Sequence, residues 1–189
     1  MTDSTPRDWP KAIGWPEGLA PVTTAEIEAF TNEPGAIAPG SLATAGYYLR
    51  RWQPLLTGAG RSAGFNGAFF LVGWLWCLYR RLYAPAIVIV LLEFVAQVVA
   101  FGAFGLSDAP AAIAGSLLIR STVAWQVNRW YWERAVKVIA ASRTEPGAAG
   151  SGLDRIGAAG GFSTLALGIG LAIQVGVNLL GLALAPPPA

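Results

Sequence analysis

Apolar positions recur along the chain with two different rhythms. In SLATAGYYLRRWQP, from Ser41, they return at helical spacing: Ala45, Tyr48, Leu49, Trp52 and Leu55 share one face, and Arg50 and Arg51 point elsewhere. Pro54 is expected to end the regular part of that helix. From Leu82 to Phe104, from Ala109 to Val127 and from Gly160 to Ala185 the apolar residues instead run almost unbroken. Each of these stretches is long enough to cross a ~30 Å hydrocarbon core as a helix. Phe65 to Tyr79 is equally apolar but holds only about 15 residues, roughly 22 Å of helix. Residues 128–143, NRWYWERAVKVIAASR, return to an amphipathic pattern with Arg129, Glu133 and Lys137 at four-residue steps.

The segments between these runs are punctuated by Pro and Gly. Residues 1–40 read as an arm in which Pro6, Pro10, Pro16, Pro21, Pro34 and Pro39 leave room for one short helix, near 23–31. Thr23 and Glu26 have capping-box spacing, and Val22 and Ile27 stand where a hydrophobic staple would close. Ile27 and Phe30 form a small apolar edge that needs a surface to lie on, lipid or protein. LSDAPAA predicts a tight reversal with Asp108 as N-cap and Pro110 in the first turn. TEPGAAGSG predicts a flexible linker over 144–159. The expected organisation is an arm (1–40), a membrane domain (41–143), that linker, and a final helix with a Pro-rich tail (160–189).

Composition decides the solvent. The 189 residues are 54% hydrophobic and 13% charged, where a soluble domain carries about 25% charge. The expected fold is therefore all-α and integral to a membrane. The polar, Pro-rich start predicts no signal peptide. If 65–79 dips in and returns to one side, every Lys and Arg except Arg120 faces the cytoplasm; if it spans, the basic residues before Phe65 move outside. The first topology gives three full transmembrane helices plus a short re-entrant or tilted helix, with the N-terminus cytoplasmic. Four spans remain the alternative. In this frame the Tyr48–Trp52 helix lies in the interface, its guanidinium groups towards anionic lipid; packing on a soluble core is the alternative reading. The aromatic residues around Arg80 and Arg81 (Trp74, Trp76, Tyr79, Tyr83), and Trp125, Trp130, Tyr131 and Trp132 around Arg129, form the expected belts.

Two charges fall inside the spans. Glu93 stands about 11 residues from one end of its helix and Arg120 about 11 from the opposite end of the next, so antiparallel packing brings both to one depth. An unpaired charge there costs several kcal/mol, and an ion pair is the economical solution. Gln97, one turn from Glu93, is placed to take a remaining hydrogen bond. In the last span Gly168, Ala172 and Gly176 make a small-residue groove, with Gln174 and Asn178 as a polar ridge on another side. Such a helix suits two neighbours.

Little here points to chemistry. The chain has no His, which removes the usual general base and the usual haem or chlorophyll ligand. Its only cysteine, Cys77, lies in an apolar run and reads as a small hydrophobe. No nucleophile–base pair, paired carboxylates, phosphate loop or metal spacing is found. No cofactor, metal or catalytic residue is expected, and a net charge of +2 gives no footing for nucleic acid.

Tyr47-Tyr48 with Arg50-Arg51-Trp52, then Phe65-Asn66-Gly67-Ala68-Phe69-Phe70, Trp74 and Leu78-Tyr79-Arg80-Arg81-Leu82-Tyr83, resembles a family of small bacterial inner-membrane proteins known only as a domain of unknown function. The resemblance covers about residues 45–140, with Asn128 to Arg134 similar to the polar aromatic helix that closes that domain. It implies a bacterial membrane origin and no activity. The expectation is a non-catalytic accessory or scaffold subunit of a larger membrane assembly, for which a respiratory or photosynthetic complex is a natural host. A small transporter or channel using Glu93 and Arg120 is the alternative, and a sensor of anionic lipid through Arg50 and Arg51 a third.

Overall fold

A computed structural model describes residues 8–9, 12–31, 45–104, 109–144 and 152–184. Apart from a two-residue antiparallel pairing of β1 (Asp8–Trp9) with β2 (Val22–Thr23), its regular structure is helical. The helices are α1 (Thr24–Thr31), α2 (Ala45–Leu56), α3 (Gly67–Val72), α4 (Trp74–Tyr79), α5 (Tyr83–Phe104), α6 (Ala109–Ala124), α7 (Val127–Thr144), α8 (Gly152–Ala159) and α9 (Thr164–Leu184). They sort into two layers. A head of α1, α2, α7 and α8 encloses an aromatic core, and α3 to α6 with α9 carry the apolar runs.

The arm forms its helix where the sequence placed it. The Thr23 backbone N–H donates to Glu26 Oε2 at 2.8 Å, and the Glu26 N–H donates back to Thr23 Oγ1 at 3.2 Å. This reciprocal cap starts α1, and the staple residues Val22 and Ile27 are fully buried with Phe30. The surface that receives this edge is protein. Trp132 Nε1 donates to the Ile13 carbonyl at 2.9 Å, and the Ile13 N–H donates to Leu55 at 2.8 Å.

Long apolar helices follow, with one revision. α5 is long and apolar enough to cross a membrane, as is the stretch Gly152–Leu179, whose apolar part is α9. α6 is shorter than the expected 109–127: it stops at Ala124, where Trp125 and Gln126 turn the chain into α7. Its 16 residues reach about 24 Å. Asp108 lies outside the described residues.

Two further expectations need correction. α2 continues two residues past Pro54, because Leu55 and Leu56 are drawn into the head core, where both are fully buried. The linker is shorter than 144–159, since residues 152–159 form α8, which packs on α1 and α7 through buried Ile156. Leu153 and Ile156 in an eight-residue stretch rich in Gly and Ala are a weak helical signal, and the helix exists through that docking.

Candidate functional site

The site begins at two asparagines. Asn66 caps α3 by accepting the Phe69 N–H at 2.8 Å, and its Nδ2 donates to Asn128 Oδ1 on α7, also at 2.8 Å. Both side chains are fully buried, and Asn128 returns its own amide to the Ala63 and Gly64 carbonyls. Such a closed amide network fixes where α3 leaves the head. Thirteen residues on from Asn66, α4 ends beside the same helix, with Arg80 Nη1 3.5 Å from the Tyr131 hydroxyl. Both ends of the α3–α4 segment therefore meet α7 within one turn of each other.

The break between α3 and α4 is Gly73, at φ 60° and ψ −134°. That conformation is open to glycine and strained for any other residue. Against it lies Arg120 of α6: a Cβ at position 73 would stand 3.1–3.3 Å from the guanidinium group. Arg120 Nη1 donates to the Leu71 carbonyl at 3.3 Å, an acceptor the helix break leaves without an intrahelical partner. Its Nε donates to Glu93 Oε1 of α5 at 2.7 Å. The expected ion pair is formed, and it ties three elements at one point: the tip of α3–α4, α5 and α6. The Glu93 side chain is 9% exposed and that of Arg120 26%, so the pair is largely shielded. Gln97 does not join it. Its side chain is exposed and makes no hydrogen bond to either charge.

The residues expected in the membrane interface mostly turn inward. Tyr48, Trp52 and Trp132 are buried in the head, where Trp52 Nε1 donates to the Asn128 carbonyl at 3.1 Å and stacks edge-on to Trp132. On α2, Tyr48 and Trp52 face protein rather than the outside, because the arm and α7 supply a core that composition alone did not reveal. Arg50 and Arg51 are exposed, Arg51 lying over Tyr47. Of the aromatic belts, Tyr83 and Trp125 are exposed, whereas Trp74, Trp76 and Tyr131 are buried and Trp130 half-buried.

Arg80 and Arg81 part company. Arg80 is 6% exposed and faces the rings of Tyr48, Tyr79 and Tyr131 at 5.1–5.4 Å. A guanidinium group stays charged, and three π faces offset its desolvation without a carboxylate. Burial pushes the Tyr48 and Tyr131 hydroxyl pKa values up, against the pull of Arg80, so both rings remain neutral. Arg81, at φ 58°, is the left-handed residue of a Schellman ending: the Leu82 N–H reaches the Cys77 carbonyl at 2.7 Å and the Arg81 N–H that of Leu78 at 3.0 Å. The inversion sends its side chain to the α8–α9 turn.

On α9 the glycine that packs within the chain is Gly170, which sequence reasoning passed over. A Cβ there would meet Leu78, Leu75 and Trp74 of α4 at 2.7–3.1 Å. Gly168 and Gly176 have nothing within 4 Å of a built Cβ, and Ala172 is exposed. Gln174 Nε2 and Asn178 Oδ1 bond only weakly to one another, at 3.4 Å. Also missed was a clasp on the arm: Arg143 of α7 grips Glu26 at 2.5 Å and 2.7 Å, and bonds the Ala20 and Pro21 carbonyls as well. No sequence signal links residues 117 apart. Asn66 was not read as a cap either, although its place directly before an apolar run is a signal that could have found it.

Among the described residues no group of three His, Cys, Asp or Glu is placed to hold a metal ion. The ion pair and the amide network are internally paired, whereas in the tyrosine cage Arg80 Nε is buried without a hydrogen-bond partner among the described residues. These contacts hold helices to one another. No family model, curated protein or solved structure matches this chain.

Proposed function

We propose that the chain is a multi-pass bacterial inner-membrane protein, with its head and N-terminus cytoplasmic, that serves as a non-catalytic scaffold or accessory subunit of a larger membrane assembly. α5, α6 and α9 are the three spans, α6 with its flanking turn, and α3–α4 is a re-entrant hairpin. The meeting of both hairpin ends on α7 supports the re-entrant reading, and the exposed apolar face of α5 (Ile87, Val88, Leu91, Phe94, Val95) supports the membrane. The family resemblance of residues 45–140 agrees with this setting.

The observation that carries the scaffold role is α9. It packs on α4 through Gly170, while among the described residues the Gly168, Ala172 and Gly176 stripe meets no neighbouring helix and the Gln174 and Asn178 amides bond only each other. Amide groups in a span gain from a neighbouring helix, and small residues let its backbone come close. The test is purification in mild detergent, with co-purifying chains identified by mass. A stoichiometric set of partners is expected, lost in Gly168→Leu with Gly176→Leu. A wild-type chain that repeatedly purifies alone sinks the reading. The transporter alternative draws on the broken helix at the charged pair, since broken helices line transport sites. It predicts that flux disappears in Glu93→Gln even when that variant is fully folded.

A further inference from the structure

A cavity of about 450 Å³ opens where the head meets the membrane helices, between the start of α5 and the outer face of α7. Arg81, Arg134 and Lys137 line it, with Tyr83 and Trp130. Its carboxylate, Glu133, is already held by Arg129 at 3.0 Å, and among the described residues no ion pair takes up the three cations. Arg81 bonds the Ala158 and Phe162 carbonyls at 2.5 and 3.4 Å, and Arg134 bonds that of Ala159 at 3.1 Å. Two guanidinium groups are thereby gathered at one turn, with only backbone carbonyls to receive them. Arg134 Nε is buried without a hydrogen-bond partner among the described residues. Burial, with the nearby charge of Arg81 adding to it, pushes the Arg134 pKa down.

A second cavity, about 390 Å³ and almost wholly apolar, lies between α4, α5 and α9. Leu78, Ala86, Val90, Ala166 and Ile169 line it, and Tyr83 belongs to both walls. Each volume is within the range of ligand sites. We propose that the two cavities together hold one anionic glycerophospholipid, its phosphate among Arg81, Arg134 and Lys137 and an acyl chain in the groove between α5 and α9. The amphiphilic order selects this occupant: cations stand at the level where α5 begins, and the apolar groove follows the two helices long enough to cross a membrane. A free phosphate would use the first cavity alone, and an uncharged lipid the second. The left-handed backbone of Arg81, a position glycine normally fills, keeps a cation at the junction. The proposal rests on the membrane reading of α5 and α9, not on the scaffold role.

The test is native mass spectrometry of the full chain released from nanodiscs of mixed phosphatidylglycerol and phosphatidylcholine. One phosphatidylglycerol per chain should survive activation that strips phosphatidylcholine. Lys137→Glu, an exposed change, should lower that retention at least tenfold without moving the melting temperature in phosphatidylcholine alone. Ala166→Phe, which fills the groove, should lower it too, while Arg50→Gln with Arg51→Gln should not. Equal retention of the two lipids, or equal retention by wild type and Lys137→Glu, overturns the site. Displacement of the lipid by millimolar inorganic phosphate overturns it in favour of a free anion. An alkaline carbonate wash separates the two failures: a chain that stays in the membrane pellet without lipid preference loses only this site, and a chain that washes off loses the membrane reading as well.

Discussion

Arg120 shows how a single charge in an apolar layer becomes a structural joint. Glu93 neutralises it and the Leu71 carbonyl takes a second donor, so the guanidinium group answers two needs that would otherwise each be costly. Removing one partner leaves the other charge shielded and unpaired. Arg120→Met alone, or Glu93→Gln alone, should lower stability by about 3 kcal/mol, read as the melting temperature in detergent. The double variant should recover most but not all of that loss, because Leu71 still lacks its donor. Additive losses in the double variant would show that the two side chains are not coupled. The pair itself was legible, since antiparallel spans convert equal spacing into equal depth. Gln97 was misplaced because sharing a helix face at one turn says nothing of which neighbour that face meets.

At the scale of elements, the short apolar segment 65–79 is two six-residue helices joined at Gly73. A helix of that length has little stability of its own. Asn66 holds one end, the Schellman turn at Arg81 the other, and Arg120 the middle. Gly73→Ala should cost about 1–3 kcal/mol from backbone strain, with added crowding against Arg120, measured again by thermal unfolding. Gly67→Ala, in the same segment with open space around its Cβ, should be neutral or mildly stabilising. Equal effects at the two positions would remove the special role given to Gly73. The sequence marked this segment as a short apolar helix, but the break at Gly73 could not be read. Nothing distinguishes Gly73 from the other glycines until the partner helix is in place.

For the whole molecule, the head is what the sequence concealed. Its core draws Ile27, Phe30, Trp52, Tyr131 and Ile156 from four separate stretches, each too small to signal a domain. The arm is held there by Glu26 and Arg143. Burial alone would raise the Glu26 pKa, but hydrogen bonds from Arg143 and Thr23 outweigh it and leave the value lowered. A carboxylate with a depressed folded pKa contributes stability that is full above its unfolded value and is lost as the pH falls through the folded one. Protection of the amides in residues 12–31, corrected for the intrinsic pH dependence of exchange, should therefore stay high down to about pH 4 and fall below it. In Arg143→Ala that protection should already be lost at neutral pH. Protection that survives Arg143→Ala at neutral pH would assign arm docking to the apolar contacts alone.

The hold on the arm also sets an order of assembly. The Phe30 carbonyl is taken by the Gly161 N–H at 2.7 Å, Gly160 lies against the backbone of Phe30, and Glu26 waits for Arg143. A ribosome delivers these partners only after the charged hairpin and α7 have been made, more than 110 residues later. The arm is thus translated well before its partners and finds its place only after them, and α5 and α6 must already be made before the head can close. Non-local closure of this kind is slow and leaves apolar surface open meanwhile. Ile27 and Phe30 are the residues that a chaperone would need to shield during synthesis.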